Sequence, residues 1–189
     1  MYHIKEDKRA YKSAELIYQG LIECMRDKEF DKVSITDVQR ISSVGRATFY
    51  RNFDTMIDVL YWKCDLKYKE VMETYVNMKT HDSNENEFLV FFFNYWMEHY
   101  EILDTLIYIG RYDIISQCHY NNAPILYNYF KDKYSLPNSN FRYYMAIRIG
   151  AFVGILISWV KCGRKENAEE LVAILKSDIS ISVNQTLFI

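Results

Sequence analysis

The sequence predicts an all-α protein, and three observations carry the prediction. Glycine and proline are scarce, 6 and 2 in 189 residues, whereas a sandwich or barrel asks for turn residues at roughly every 8–12 positions. Apolar residues recur at helical spacing along most of the chain. No short β-branched run bounded by turn signals reads convincingly as a strand. Half of the residues are apolar and a quarter charged, the balance of a globular protein rather than a disordered or collagen-like one.

The elements follow in order. Residues 1–8 read as a polar arm. Over residues 9–28 the apolar positions Ile17, Leu21 and Cys24, with Ala14 and Met25 alongside, fall on one helical stripe that Phe30 closes. Residues 31–53, DKVSITDVQRISSVGRATFYRNF, hold two short helices. Ser34 with Asp37 three positions on is a helix-start pattern, a hydroxyl capping free N–H groups and an acid in the first turn. Ile35, Val38 and Ile41 give that helix its apolar face, Ser42 to Val44 make the turn, and Gly45 serves as the next N-cap. Residues 54–77 read as one long helix that ends in the polar stretch 79–87. Helices are expected over 88–100, 102–109, 112–134 (interrupted near Pro124) and 141–162, with a loop at 135–140. Gly163 supplies a C-terminal stop, and a last helix covers 166–184.

Several function classes are excluded at this stage. A net charge of −2 means that a polyanion must be held by a local patch, because the overall field will not collect one. Cys24, Cys64, Cys118 and Cys162 lie far apart without a C-x-x-C pair, as reduced structural thiols do. The opening MYHIKEDKRAYK is too polar for a secretory signal, and the longest apolar run, residues 149–160, is too short for a bilayer core of about 30 Å. A soluble cytoplasmic protein without a membrane span is expected. His3, His81, His99 and His119 are scattered, and no nucleophile elbow, Walker loop, dinucleotide fingerprint or zinc spacing occurs. Neither an enzyme nor a cofactor or metal site is expected.

Residues 38–53 carry Arg40, Arg46 and Arg51 and no acid. On a helix starting after Gly45, Phe49 and Phe53 share the buried side, and Ala47 and Arg51 point the opposite way. Arg46 and Tyr50 take one flank, Thr48 and Asn52 the other. A cationic, hydroxylated surface rich in small residues suits DNA. Arginine bonds guanine edges, hydroxyls hold phosphates, and alanine permits close approach. A short helix set steeply against its predecessor by a tight turn is the helix-turn-helix device for entering the major groove.

In these residues, from about 9 to 60, the chain resembles the DNA-binding domain of the TetR family of transcriptional regulators. The carriers are SITDV and above all VGRATFYRNF followed by DTMIDVL. The resemblance implies a helix-turn-helix domain at residues 1–53 and a helical effector-binding and dimerisation domain at 54–189, with 54–78 as the connecting helix. It also implies a homodimer that binds a palindromic operator as a repressor and leaves it when a small-molecule effector binds. By position, Ser34 and Tyr50 match phosphate-holding hydroxyls and Thr36 a base or backbone contact. Arg46, Ala47 and Thr48 match the base-reading start of the third helix, and Arg51 and Asn52 variable contacts. Three positions depart from the pattern. Ser43 stands where glycine is common, Gly45 where serine is, and Met56 where a lysine often grips phosphate, which shifts weight onto Lys5, Lys8, Arg9 and Lys12.

Residues 143–175 are similar to the last two helices of a Gram-positive subgroup that includes dihydroxyacetone kinase regulators. In that likeness Gly150, Ala151, Gly154, Ile155 and Trp159 fall at a four-helix dimer interface. The aromatic stretch from residue 88 supplies Phe92, Tyr95 and Trp96, with Tyr108 and Tyr127 beyond, as candidate lining for an effector pocket, although aromatics at this spacing are more often plain core. A second functional class stays open: a protein-interaction module or co-regulator of the same fold with weak DNA binding.

Overall fold

The computed structural model describes residues 1–4, 7–78, 85–130 and 141–184. Among these the regular elements are helices, joined by one isolated antiparallel bridge between Tyr2 and Phe53. The all-α expectation holds. The stretch 79–87 falls mostly, and the loop 135–140 wholly, outside the described residues. The chain packs as two compact units, Met1–Cys64 and Asp65–Ile189.

In the first unit α1 (Lys8–Met25) starts at Asp7, whose carboxylate accepts from the Arg9 and Ala10 N–H groups at 2.8 Å each. Its stripe Ala14, Ile17, Tyr18, Leu21 and Cys24 is buried. A 3₁₀ turn at Phe30–Lys32 leads to α2 (Ile35–Ser42). Here Ser34 and Asp37 form a reciprocal capping box: the Asp37 N–H donates to Ser34 Oγ, and the Ser34 N–H donates to Asp37 Oδ2 at 3.0 Å. Lys28 bonds the other Asp37 oxygen at 2.8 Å, and these donors hold its carboxyl well below the usual carboxylate range.

Ser43 ends α2 in the left-handed conformation, φ 57°, a place where glycine is the unstrained choice. The turn is short, and α3 (Arg46–Asn52) begins after Gly45. Then α4 (Met56–Met78) starts with Thr55, whose N–H and hydroxyl both donate to Asp58 Oδ2.

What sets α1 against α2 is a missing side chain. A Cβ on Gly20 would stand 2.9 Å from Ser42 Cβ and 3.2 Å from the Val38 carbonyl oxygen, so the two backbones cross closer than any other residue allows.

In the second unit the rest of α4 packs with α5 (Glu85–Glu98), α6 (Glu101–Tyr108), α7 (Tyr112–Phe130), α8 (Phe141–Lys161) and α9 (Ala168–Asn184). Its core is aromatic. Tyr68 of α4 lies 4.7 Å, ring to ring, from Trp96 and 5.2 Å from His119, and Phe92 meets Phe152 at 5.6 Å. Contrary to expectation, α7 runs through Pro124 without a break. Pro124 lies exposed, so the Tyr120 carbonyl that loses its donor belongs to an exposed turn where water can replace it. Asn122, on the inner side, holds the helix by donating to the Cys118 carbonyl and to Asp65, both at 2.8 Å. Gly163 stops α8 at φ 88°, as expected. Asn167 caps α9 by exchanging bonds with Glu170.

The Gly20 crossing makes a prediction. Alanine is the better helix former by ~1 kcal/mol, yet Gly20→Ala is expected to destabilise the protein by about 1–3 kcal/mol through overpacking. Urea unfolding checks it, and an unchanged or raised midpoint would show that the crossing is not tight.

Candidate nucleic-acid interface

The face of α3 is set by its apolar residues. Phe49 and Phe53, a turn apart, are buried and meet each other at 5.9 Å, with Phe53 reaching Trp62 at 6.0 Å. Anchored on that side, the helix leaves Arg46, Ala47 and Arg51 exposed and Tyr50 47% exposed, while Thr48 is half-buried. The outward side chains brace one another. The Arg46 guanidinium lies 5.6 Å from the Tyr50 ring centre, and Arg51 Nη2 donates to Thr48 Oγ1 at 2.8 Å. This leaves guanidinium donors of Arg46 and Arg51 at the solvent-facing side, the planar groups that bidentate recognition of bases and phosphates uses. Thr36 is exposed at the start of α2. Ser34 is exposed too, but its hydroxyl proton is committed to Asp37 Oδ2 at 2.6 Å.

Asn52 departs from the expected exposed flank. It is 3% exposed. The reason is a non-local pairing: the arm residue His3 donates its N–H to the Asn52 carbonyl at 2.8 Å, next to the Tyr2–Phe53 bridge, and lies along this side of α3. The Asn52 Nδ2 has no hydrogen-bond partner among the described residues, an omission that costs about 1–3 kcal/mol for a buried group. Beside it opens a cleft of about 820 Å³, walled by the first two turns of α1 and by Thr48 and Arg51. Sequence reasoning named Lys8 and Arg9 as supporting cations but missed Ser13 and His3, which carry no local signal. Lys5 lies outside the described residues, and Lys12 is exposed. Met56, half-buried at the start of α4, offers no charge there.

The expected dimer residues divide. Gly150 and Gly154 are exposed, and a Cβ on either would meet nothing within 4 Å. Ala151 and Ile155 are half-buried. With Tyr143, Ile147 and Ser158 the two glycines form an exposed stripe along α8. Trp159 does not belong to it. It is a core residue, 5% exposed, with Nε1 donating to the Glu166 carbonyl at 3.1 Å.

The expected pocket residues divide as well. Phe92, Tyr95 and Trp96 are buried, Tyr127 is half-buried, and Tyr108 is 75% exposed. The core stripe of α6 is Ile102, Leu103 and Leu106, and at about 100° per residue Tyr108 falls on the opposite side. Sequence reasoning missed His119, which the fold buries between Tyr68, Phe92 and Phe152. Burial, with the Arg148 charge nearby, pushes its imidazole down to about 3. His119 Nδ1 and Trp96 Nε1 are both buried without a partner among the described residues.

A three-helix head with an exposed cationic helix, joined to a helical second unit, defines a helix-turn-helix regulator. The family described as TetR_C_8, transcriptional regulator C-terminal region, matches residues 83–180. The chain belongs to the TetR family of transcriptional regulators. In structure it is similar to a TetR transcriptional regulator from Streptococcus agalactiae 2603V. The TM-score is 0.60 at 17% identity, over 92% of this chain and 97% of that one. No protein of curated function matches it in sequence.

The buried imidazole carries a pH prediction. His119 is neutral when folded and protonates in the unfolded chain near its ordinary value of about 6.5. Stability therefore falls as pH drops from ~6.5 towards 3, because the unfolded state binds the extra proton. His119→Phe is expected to flatten that acid limb in denaturant unfolding from pH 7 to 4. An unaltered slope would place the titrating group elsewhere.

Proposed function

We propose that this regulator binds DNA sequence-specifically as a homodimer, acts as a repressor, and releases its operator when a small molecule occupies the aromatic unit. One observation carries the reading: the exposed Arg46, Tyr50 and Arg51, with Arg46 lying over Tyr50 and Arg51 bonded to Thr48, on a helix anchored by two buried phenylalanines. Arg46, Ala47 and Thr48 read base edges in the major groove. Tyr50 and Thr36 hold phosphates and fix the register.

The exposed α8 stripe of Tyr143, Ile147, Gly150, Gly154 and Ser158 supports dimerisation, since glycines let a second helix approach closely and the apolar side chains gain cover. Two reading heads then engage half-sites about 34–36 Å apart. The effector is an uncharged molecule of apolar or aromatic body with a hydrogen-bonding group, for which Trp96 Nε1 and His119 Nδ1 are the waiting partners. It acts by binding better to a conformation that cannot span both half-sites, with α4, which is shared by the two units, as the link. The absent cation at Met56 favours a second reading, a co-regulator that binds another protein.

A mobility-shift titration on the promoter DNA flanking the gene separates the two. Arg46→Ala is expected to weaken binding by about 1–3 kcal/mol and to lower the salt slope by about one. Tyr50→Phe weakens it with the slope unchanged, because no charge is lost. Absent or salt-insensitive binding by the wild type would sink the regulator reading in favour of the co-regulator.

A further inference from the structure

The last carbonyls of an α-helix have no partner within the helix, and α3 has only seven residues with which to hold its end. It stops where Phe53 turns extended, at φ −142° and ψ 138°, and an extended residue presents an edge to which a second strand bonds. Tyr2 takes that edge in an antiparallel pairing. The His3 N–H donates to the Asn52 carbonyl at 2.8 Å, and the Asp54 N–H donates to the Met1 carbonyl at 3.2 Å. The arm therefore satisfies the last carbonyl of α3 and the donor that follows Phe53.

Side chains tie the same segment down. The half-buried Tyr2 ring lies 6.0 Å from the Tyr61 ring of α4, and His3 Nε2 lies 3.0 Å from Asp54 Oδ1. Ile4 is half-buried too. A few residues on, Asp7 caps α1. One run of chain thus serves the end of α3, the start of α4 and the start of α1.

This adds something that the phenylalanine anchors do not supply. Phe49 and Phe53 decide which side of α3 faces inward, whereas the two backbone bonds fix the point at which the helix ends. Seven residues make a lever of ~10 Å, so a tilt of about 3° at that end moves the Arg46 end by about 0.5 Å. Placement within about 0.5 Å is the tolerance of a preorganised recognition site.

We infer that residues 1–4 are a strap whose closure over the α3–α4 junction sets the tilt of α3 on DNA, with Tyr2 and His3 as positioning residues. The inference rests on the reading of α3 as a DNA-reading helix. The strap acts through the backbone of Asn52, Phe53 and Asp54, and it brings no Lys or Arg of its own.

The test pairs NMR amide exchange of the free protein with fluorescence anisotropy on a labelled duplex of the flanking promoter DNA over about 50–200 mM KCl. His3→Pro removes the N–H that bonds the Asn52 carbonyl, His3→Ala keeps it, deletion of residues 2–4 removes the strap, and Arg46→Ala is the control for α3. His3→Pro and the deletion are expected to speed exchange at Asp54 and along α3 in the free protein. They are also expected to weaken DNA binding about tenfold with the salt slope unchanged, since no cation is lost. His3→Ala gives up only an exposed side-chain contact and is expected to stay within about twofold of wild type. A merely structural strap would lower the melting temperature and leave the affinity of the folded protein alone. If His3→Pro and the deletion bind like wild type while Arg46→Ala weakens binding, the positioning role is refuted and the reading of α3 stands. A salt slope lowered by the deletion would show the arm gripping DNA itself, which also overturns the inference. If the wild type shows no salt-dependent binding, both fall.

Discussion

The anchoring of α3 by Phe49 and Phe53 is the constraint on which the first unit's surface depends. A helix of seven residues has too few backbone bonds to hold its own shape in water. Its conformation and its rotation about its axis come from the burial of these two rings against α1 and the start of α4. Burying a phenylalanine is worth roughly 1.5–3 kcal/mol, so the pair outweighs the small preferences of the exposed residues. Once that side is fixed, Arg46, Ala47 and Arg51 have nowhere to point but outward. The close crossing at Gly20 and Ser42 does the same for α2, and the capping box at Ser34 fixes where that helix begins.

Much of this was legible in the sequence because it is local. The spacing of Ile17, Leu21 and Cys24, the Ser34–Asp37 cap, the Phe49–Phe53 pair and the Gly163 stop each involve residues within a few positions, and each lies where the pattern placed it. The failures are non-local. Asn52 was assigned by helical rotation to an exposed flank, but the arm at Tyr2 and His3 returns across some fifty residues of sequence to cover it. Trp159 has an apolar ring that suits an interface as well as a core, and only the Glu166 carbonyl on the following loop decides the matter. Pro124 reads as a break, yet its position on an exposed turn makes the lost bond tolerable.

The second unit follows a different logic. Its helices carry aromatic residues on broad faces, so ring contacts of 4.7–6.3 Å around Tyr68, Phe92 and Trp96 join aliphatic side chains such as Leu103, Leu106 and Ile115 in the core. Rings of this size carry polar edges, and at Trp96 and His119 these are buried without a partner among the described residues.

The central claim, that the outward face of α3 meets duplex DNA, is tested most directly by hydrogen–deuterium exchange with and without the flanking promoter duplex. The account predicts slowed amide exchange concentrated in residues 45–52 and at the starts of α1 and α2, with the α8 segment unchanged. Exchange that stays the same over residues 45–52 while another surface becomes protected would contradict it.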